Sequence, residues 1–474
     1  MWPAIRRVLG LDRRRAFDAA GGGRRWEGAK SVESLNTAIL AGATVAARRA
    51  GYYARNNPWV AAAVQALIAN AVGTGIKPRS AHPDSNVRDA LHQLWARWTD
   101  RADANGLTDF YGLQALALRA MVESGESFSR LRMAAADDGL PPLQVELLDR
   151  EQVPTDLHRE IGAGARIRAG IEFDAVGRRI AYHCYRNRPG DALAPMALDT
   201  VRVPAPDMAH LFQALAPGQL RGITWLAPVL LRLHELDQYE DAALVKAKVA
   251  ALFTGFIRDP DGTVAGLNGG GAVNGVLQVG MEPGSLIPLP PGADIQFSDP
   301  ADPGDYGAYV KNHIRAIASG LGLPYELISG DLEGVTYSSI RAGLVEFRRR
   351  IEQLQHTVIV FQFCRPVWER FVRLAVLSGA LPARDFDRDP SPYLACDWLP
   401  PKWDWVDPAK DARAEIEQIC AGLKSRSQSI AERGYDIEEV DAAIAADRAR
   451  EARLGLSFDT TVSPDQPTME GANA

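Results

Sequence analysis

The chain has little cysteine, and none of it is clustered. Cys184, Cys364, Cys396 and Cys420 are its four thiols, with no C-x-x-C and no histidine pair beside them. That spacing argues against a zinc site or a disulfide framework, so reduced intracellular thiols are expected. No run of 18 apolar residues is available to span a bilayer, and no membrane partner is expected. The N-terminus lacks the apolar stretch of a secretory signal, which points to a soluble protein of cytoplasmic origin. Positive charge is not in excess either: 53 Lys and Arg against 59 Asp and Glu leave a net charge of −6. A tight nucleic-acid binder usually carries a basic face that dominates its balance.

The motifs of common chemistry are missing too. Without a Gly-Lys dipeptide there is no G-x-x-x-x-G-K-[ST] phosphate loop, which excludes a P-loop motor or kinase. G-x-G-x-x-G and G-x-S-x-G are absent. Glu123-Ser-Gly-Glu-Ser127 has the look of a nucleophile turn but lacks its flanking glycines, and reads as a helix end. His92, His183, His210, His234, His313 and His356 fall singly, with no H-E-x-x-H. His210, inside the apolar run MAHLF, reads as a hydrogen-bonded core histidine. Asp137-Asp138, Asp149 with Glu151, and Glu438-Glu439 read as solvated charge. No catalytic residue, metal or cofactor is expected. Arg348-Arg349-Arg350, flanked by Glu346 and Glu352, reads as an ion-paired helix surface, the alternative being a face that meets phosphates or another subunit's acids.

What is present is a globular composition, 46% hydrophobic and 24% charged, over 474 residues. That length predicts about two to four lobes. Residues 1–30 carry eight Arg and Lys and a Gly triplet, and read as a flexible basic segment. A helical lobe follows. Asn57-Pro58 starts a helix, with Asn as cap and Pro where no N–H is needed. A second helix buries Leu91, Leu94, Trp95 and Trp98, and a third, around Tyr111–Glu123, stops at Ser124-Gly125. From about Leu143 the period shortens, and QVELLDREQVP, ARIRAGIEFD, RRIAYHCYRN and MAHLFQ read as strands.

Pro228–Leu252 reads as one long helix, roughly 38 Å at 1.5 Å per residue. Its first half is amphipathic, and its second half, AALVKAKVAAL, is apolar on more than one side, as befits a strut with several neighbours. Glycines and prolines at 254–304 predict a small β-rich knob between this helix and another at about 305–320. After the loop ISGDLEGVTYSS comes the longest helical pattern, over 340–376, with a kink expected at Pro366. Residues 381–405 read as irregular, 407–450 as helical with stops at Gly422 and Gly434, and the last ~20 residues as a polar tail.

Several stretches, in order, resemble the lambda-type family of bacteriophage portal proteins. They are Arg55-Asn-Asn-Pro58, Val72-Gly-Thr-Gly75, His210-Leu-Phe212, the run Pro217–Pro228, Tyr239-Glu-Asp-Ala242, Phe256-Ile257, Gly322-Leu-Pro-Tyr325, Tyr337-Ser-Ser-Ile-Arg-Ala342 and Val406-Asp-Pro-Ala-Lys410. The resemblance implies an α+β subunit of a ring, usually of twelve copies, at one vertex of a phage or prophage head. Double-stranded DNA would pass through its lumen without sequence-specific binding. Terminase large subunit, major capsid and scaffold proteins and a head–tail adaptor would be its partners, and the virion its location. In family terms 31–220 resembles the wing, 221–252 and 305–322 the two stem helices, and 253–304 the clip. The tunnel-loop region is 323–338, the lumen-side kinked helix with its return into the wing 339–406, the crown 407–452, and the flexible tail 453–474. The same resemblance offers Asp331, Glu333, Val335, Thr336 and Tyr337 as DNA-facing loop residues and Arg341, Arg348 and Arg349 as lumen-side helix residues. It offers Leu244, Val245, Val249 and Leu252 for subunit packing in the stem, and Phe256, Ile257, Arg258 and Asp259 for terminase or adaptor docking. A ring-forming adaptor or other capsid protein, and a hydrolase or nuclease built on dispersed carboxylates, are the rival readings.

Overall fold

The computed structural model describes residues 34–135, 139–190, 199–252, 306–401 and 408–456, with four short strands between 256 and 289. Expectations for residues 1–30, Asp137-Asp138, Asp259 and the tail beyond 456 lie outside the described residues. So do the side chains of Val249, Leu252, Phe256, Ile257, Arg258 and Tyr337.

The chain begins with α1 (Leu35–Asn56) and α2 (Pro58–Ala71), which break at Asn57. The Asn57 side chain accepts from Val60 N at 3.1 Å, and Pro58 fills the first helical position. Strand β1 (Lys77–Ser80) leads to α3 (Ser85–Thr99), whose buried face is Leu91, Leu94, Trp95 and Trp98. Helix α4 (Phe110–Ser124) ends at Gly125, whose φ of 97° supplies the left-handed residue a helix stop requires. A Cβ there would also strike the Ile223 backbone at 2.3 Å.

Strand β2 (Glu126–Met133) follows directly and was not expected. It is the middle strand of the sheet β3-β2-β9, with β3 at Leu143–Leu148 and β9 at Met208–Phe212. Alternation does not mark it, because Glu126, Ser127, Phe128 and Ser129 are all buried. The other strands of this region, β4 (Arg159–Gly162), β5 (Ala165–Arg168), β6 (Ile171–Phe173), β7 (Arg179–Tyr185) and β8 (Thr200–Pro204), form an antiparallel meander. A small core of Phe128, Ile171, Tyr182 and Val203 lies between the two sheets.

Helix α5 runs Leu230–Leu252. Beyond it, β10 (Phe256–Arg258) pairs parallel with β13 (Ile287–Leu289), and β11 (Ala272–Val273) antiparallel with β12 (Val276–Leu277). Helix α6 (Tyr306–Leu321) buries Val310, Ile314, Ile317, Ala318 and Leu321, one stripe at helical spacing. It packs in the main core with Leu233 and Leu236 of α5.

The long helical pattern is one uninterrupted helical run whose winding changes along its length. After α7 (Tyr325–Ser329), α8 (Tyr337–Leu354) passes into a π-helical stretch, Gln355–Cys364, and then α9 (Arg365–Leu377). The change of winding is completed just before Pro366, which has no N–H to continue the ladder. Trp368 and Phe371 of α9 pack on Trp95 with ring centroids 5.3 and 4.9 Å apart, closing the chain back onto the helical lobe. Residues 381–405 are not irregular throughout: α10 (Ser391–Leu394) leads to β14 (Cys396–Leu399), which pairs antiparallel with β1. Helices α11 (Pro408–Cys420), α12 (Arg426–Glu432) and α13 (Ile437–Leu454) complete the described chain.

Candidate functional site

The loop between α7 and α8 is held at both ends. Its exit is a reciprocal cap: Thr336 Oγ1 accepts from Ser339 N at 3.3 Å, and Ser339 Oγ from Thr336 N at 3.1 Å. Its entry is fixed by Asp331. That carboxylate accepts from Lys311 Nζ of α6 at 2.6 Å, from Tyr325 OH at 3.1 Å and from Glu333 N at 2.9 Å. The Lys311 contact first, then the Glu333 N–H, bring its pKa down to about 2. Asp331 therefore ties the loop to the second long helix, while Leu332 and Glu333 are exposed and Val335 is half-buried.

On α8, Phe347, Ile351 and Leu354 point into the core. The opposite side carries the arginines. Arg341 reaches Asp411 of α11 at 3.4 Å, Arg349 pairs with Glu346 at 2.8 Å, and Arg348 is half-buried. The Arg341–Asp411 ion pair thus links the loop's helix to the C-terminal helices.

Helix α5 changes character along its length. Val229, Leu233 and Leu236 are buried at its start, while Leu231 is 72% exposed, Leu244 52% and Val245 58%. Asp237 accepts from Asn57 Nδ2 at 2.7 Å and so pins the helix to the α1–α2 break.

The segment leading into α5 is anchored by a buried cluster that sequence reading did not find. Glu126 is fully buried and faces Arg221 at 2.7 Å, Arg150 at 2.8 Å and His210 at 3.1 Å, and it accepts from Gly222 N at 2.8 Å. Burial alone would raise its pKa, but Arg221, His210 and Arg150 outweigh that and hold it well below the carboxylate range. His210 is, as its apolar strand suggested, a hydrogen-bonded core histidine. Arg179 Nη1 lies 3.0 Å from His210 Nδ1 and can only donate, so Nε2 carries the proton given to Glu126. Burial lowers the His210 pKa to about 4, against the pull of Glu126, so the ring is neutral. The signal in the sequence was slight: one carboxylate after a helix stop, and an Arg-Gly pair in a turn-like stretch.

Among the described residues no group of three His, Cys, Asp or Glu could hold a metal ion, and no helix is long and apolar enough to cross a membrane. The arrangement is one of struts, anchors and an exposed loop.

Comparison with known proteins gives the family. The chain is 28% identical over 480 aligned positions to the probable portal protein of Halomonas phage phiHAP-1, covering 95% of this chain and 90% of the relative. To portal protein B of Escherichia phage lambda it is 23% identical over 470 positions, covering 90% and 87%. Among solved structures, a chain in the neck of a native GTA particle computed with C12 symmetry aligns with 86% of this chain and 94% of its own length, at 15% identity and a TM-score of 0.41. The family described as phage portal protein, lambda family, matches residues 22–355. With most of its length matched in this way, the chain belongs to the lambda family of phage portal proteins.

Proposed function

We propose that copies of this chain close into a ring, of about twelve, at one vertex of a phage-type head, and that double-stranded DNA passes through its lumen during packaging and ejection. The chain is a structural portal protein, and ATP hydrolysis is assigned to a separate terminase that docks on it. The observation that carries the ring is the second half of α5. From Asp241 to Lys248 every side chain but half-buried Ala243 is exposed, Leu244 and Val245 among them, and such an apolar strip, repeated in every copy, is what a neighbouring copy would cover. Helices α5 and α6 then form the stem, and the β10–β13 region the clip that meets terminase and later a head–tail adaptor. The loop at 330–336 borders the lumen, and the balanced charge supports sliding, since each phosphate held by a cation adds resistance along a duplex.

Negative-stain images and light scattering test this. A homogeneous ring near twelve times 51.5 kDa is expected. A monodisperse monomer at every concentration, with scaffold present, would overturn it. Deleting 330–336 is expected to impair DNA packaging or retention while rings still form; loss of ring formation would overturn the loop assignment.

A further inference from the structure

The described chain ends in three helices, α11 to α13, that share no apolar core. From Lys410 to Leu456 no hydrophobic side chain is buried, and none belongs to either hydrophobic core of the protein. Apolar residues are not lacking there. Ile416, Leu423, Tyr435, Ile444, Leu454 and Leu456 are all exposed, Leu423 to 80%. From Asp441 to Arg450 every side chain of α13 is exposed, so this part of the helix stands clear on all sides. Single exposed leucines are ordinary. Helices pack because each buries an apolar stripe against a neighbour, however, and here no stripe is buried.

What holds the unit together is polar. Glu415 of α11 accepts from Lys424 Nζ at 2.9 Å, from Ser429 Oγ at 2.6 Å and from Arg433 Nη2 at 2.7 Å. Arg426 pairs with Asp441 at 2.6 Å. The pairs Arg88–Glu438 and Arg341–Asp411 tie the unit to the rest of the chain. Partly exposed pairs of this kind contribute little stability and weaken with salt.

Composition explains why α13 is helical without cover. Ala442, Ala443, Ala445, Ala446, Ala449 and Ala452 are strong helix formers, and Asp436 caps the start by accepting from Glu438 N at 2.7 Å. It does not explain why Ile416, Leu423, Ile444 and Leu454 are all left in water on α11, α13 and the turn after α11.

The chain's own tail makes a poor cover. Residues 457–474 offer Phe458, Val462 and Met469 as their large apolar side chains, with Asp459, Asp465 and Glu470 and no Lys or Arg. A second copy suits the surface better, because it brings charge of both signs. Glu439, Arg448 and Arg453 on α13, and Arg413 and Glu417 on α11, are exposed and have no ion-pair partner among the described residues. Each of these helices therefore offers the other an opposite charge.

We propose that the C-terminal unit is completed by a second copy of this chain, with α13 of one copy lying on α11 of the next. Ile444 and Leu454 then bury against Ile416 and Leu423, and Arg448 and Arg453 lie on the side of Glu417. Two different surfaces meet in this contact, the heterologous kind that closes a ring. It rests on the ring reading above and adds a contact far in sequence from Leu244 and Val245.

The exposed thiol Cys420 at the end of α11 supplies the test. Full-length Ile444→Cys, at a concentration where the native chain forms rings, is treated with a short bismaleimide and run on a denaturing gel. A ladder of covalent multimers above the native background is expected, and it should vanish in the I444C/C420S double variant. Ile444→Glu, a change at an exposed position, should leave the far-ultraviolet circular dichroism of dilute protein unchanged. It should raise the concentration needed for ring assembly at least tenfold. Rings without a ladder, or I444E rings that assemble as the native ones do, overturn this contact and leave the ring standing. A ladder that survives C420S shows α13 meeting α13 and overturns the pairing with α11. A native chain that stays monomeric at every concentration overturns the ring and this contact together.

Discussion

Glu126 and Arg221 are 95 residues apart in sequence, and their side chains meet at 2.7 Å with both almost fully buried. Glu126 opens β2, the central strand of its sheet, and Arg221 belongs to the segment that delivers the chain into α5. Arg221 also donates to the carbonyls of Val153 and Ala169, at 3.1 and 2.8 Å. The β-sheet region and the entry to α5 are therefore fastened at one point, where the desolvation of both charges is offset by their pairing and by further hydrogen bonds.

Glu126→Gln is expected to be among the most damaging single changes in the β-sheet region. It removes the negative charge and leaves Arg150 and Arg221 facing each other out of water. Breaking a buried pair in this way costs about 3–5 kcal/mol. A clear fall in melting temperature, with new proteolytic cutting near 215–226, is the expected result. A melting temperature within about one degree of native would show that the cluster bears little of the fold's stability.

Acid should loosen the same junction, and the signs agree for both titrating members. The folded pKa of His210 is about 4, below its ordinary 6.5. The folded state therefore binds fewer protons than the unfolded chain between those values, and stability falls as pH drops from about 6.5 toward 4. Glu126, also depressed, contributes stability above the ordinary carboxylate range that is lost only at lower pH still. The histidine part is on the order of 1–3 kcal/mol. His210→Gln should flatten the melting temperature between pH 6.5 and 4 relative to the native chain. An unchanged slope would place the acid sensitivity elsewhere.

Much of the architecture was legible before the structure. The Asn57-Pro58 cap, the stop at Ser124-Gly125 and the β-rich middle all follow from local chemistry that a sequence displays directly. Three features were not legible, each for a physical reason. Strand β2 hides its period because polar Glu126, Ser127 and Ser129 are buried beside Phe128. Strand β14 is visible only through its partner β1, more than 300 residues away, and its Pro/Trp-rich surroundings read as irregular. The π-helical stretch keeps an apolar helix's composition, and Pro366 announces a disturbance without saying how far upstream it reaches. At the candidate site, acids and arginines could be named from sequence but not their partners. Asp331 pairs with Lys311 on another helix, and Arg350 rests on Gly322; neither relation has a local signature.

The Asp331 anchor gives a local prediction. Asp331→Asn should free the start of the 330–336 loop, seen as faster amide exchange there, with the melting temperature of the protein unchanged. The carboxylate's pKa is depressed to about 2, so the contact is intact above about pH 4 and is lost only as pH falls through 2. Loop exchange in the native chain should thus show no pH-dependent opening between 5 and 8 beyond the intrinsic rate. Unchanged exchange in D331N would mean that the Thr336–Ser339 cap alone holds the loop.

The strut itself supplies the sharpest test of the ring. Leu244→Glu or Val245→Glu places a charge on a surface that is exposed in the single subunit, so the fold of that subunit should be nearly unaffected, within about 0.5 kcal/mol. If a neighbouring copy covers that surface, the same carboxylate must be desolvated at every interface of the ring, and assembly should fail. The control is Glu235→Lys, an exposed change on the same helix; Asp237 is unsuitable because it accepts the Asn57 bond. Light scattering should find L244E and V245E as well-folded monomers and E235K in rings. Rings of native size from both acidic variants would show that this side of α5 faces solvent in the assembly, and subunit packing would then have to be sought on the exposed face of α8 or α13.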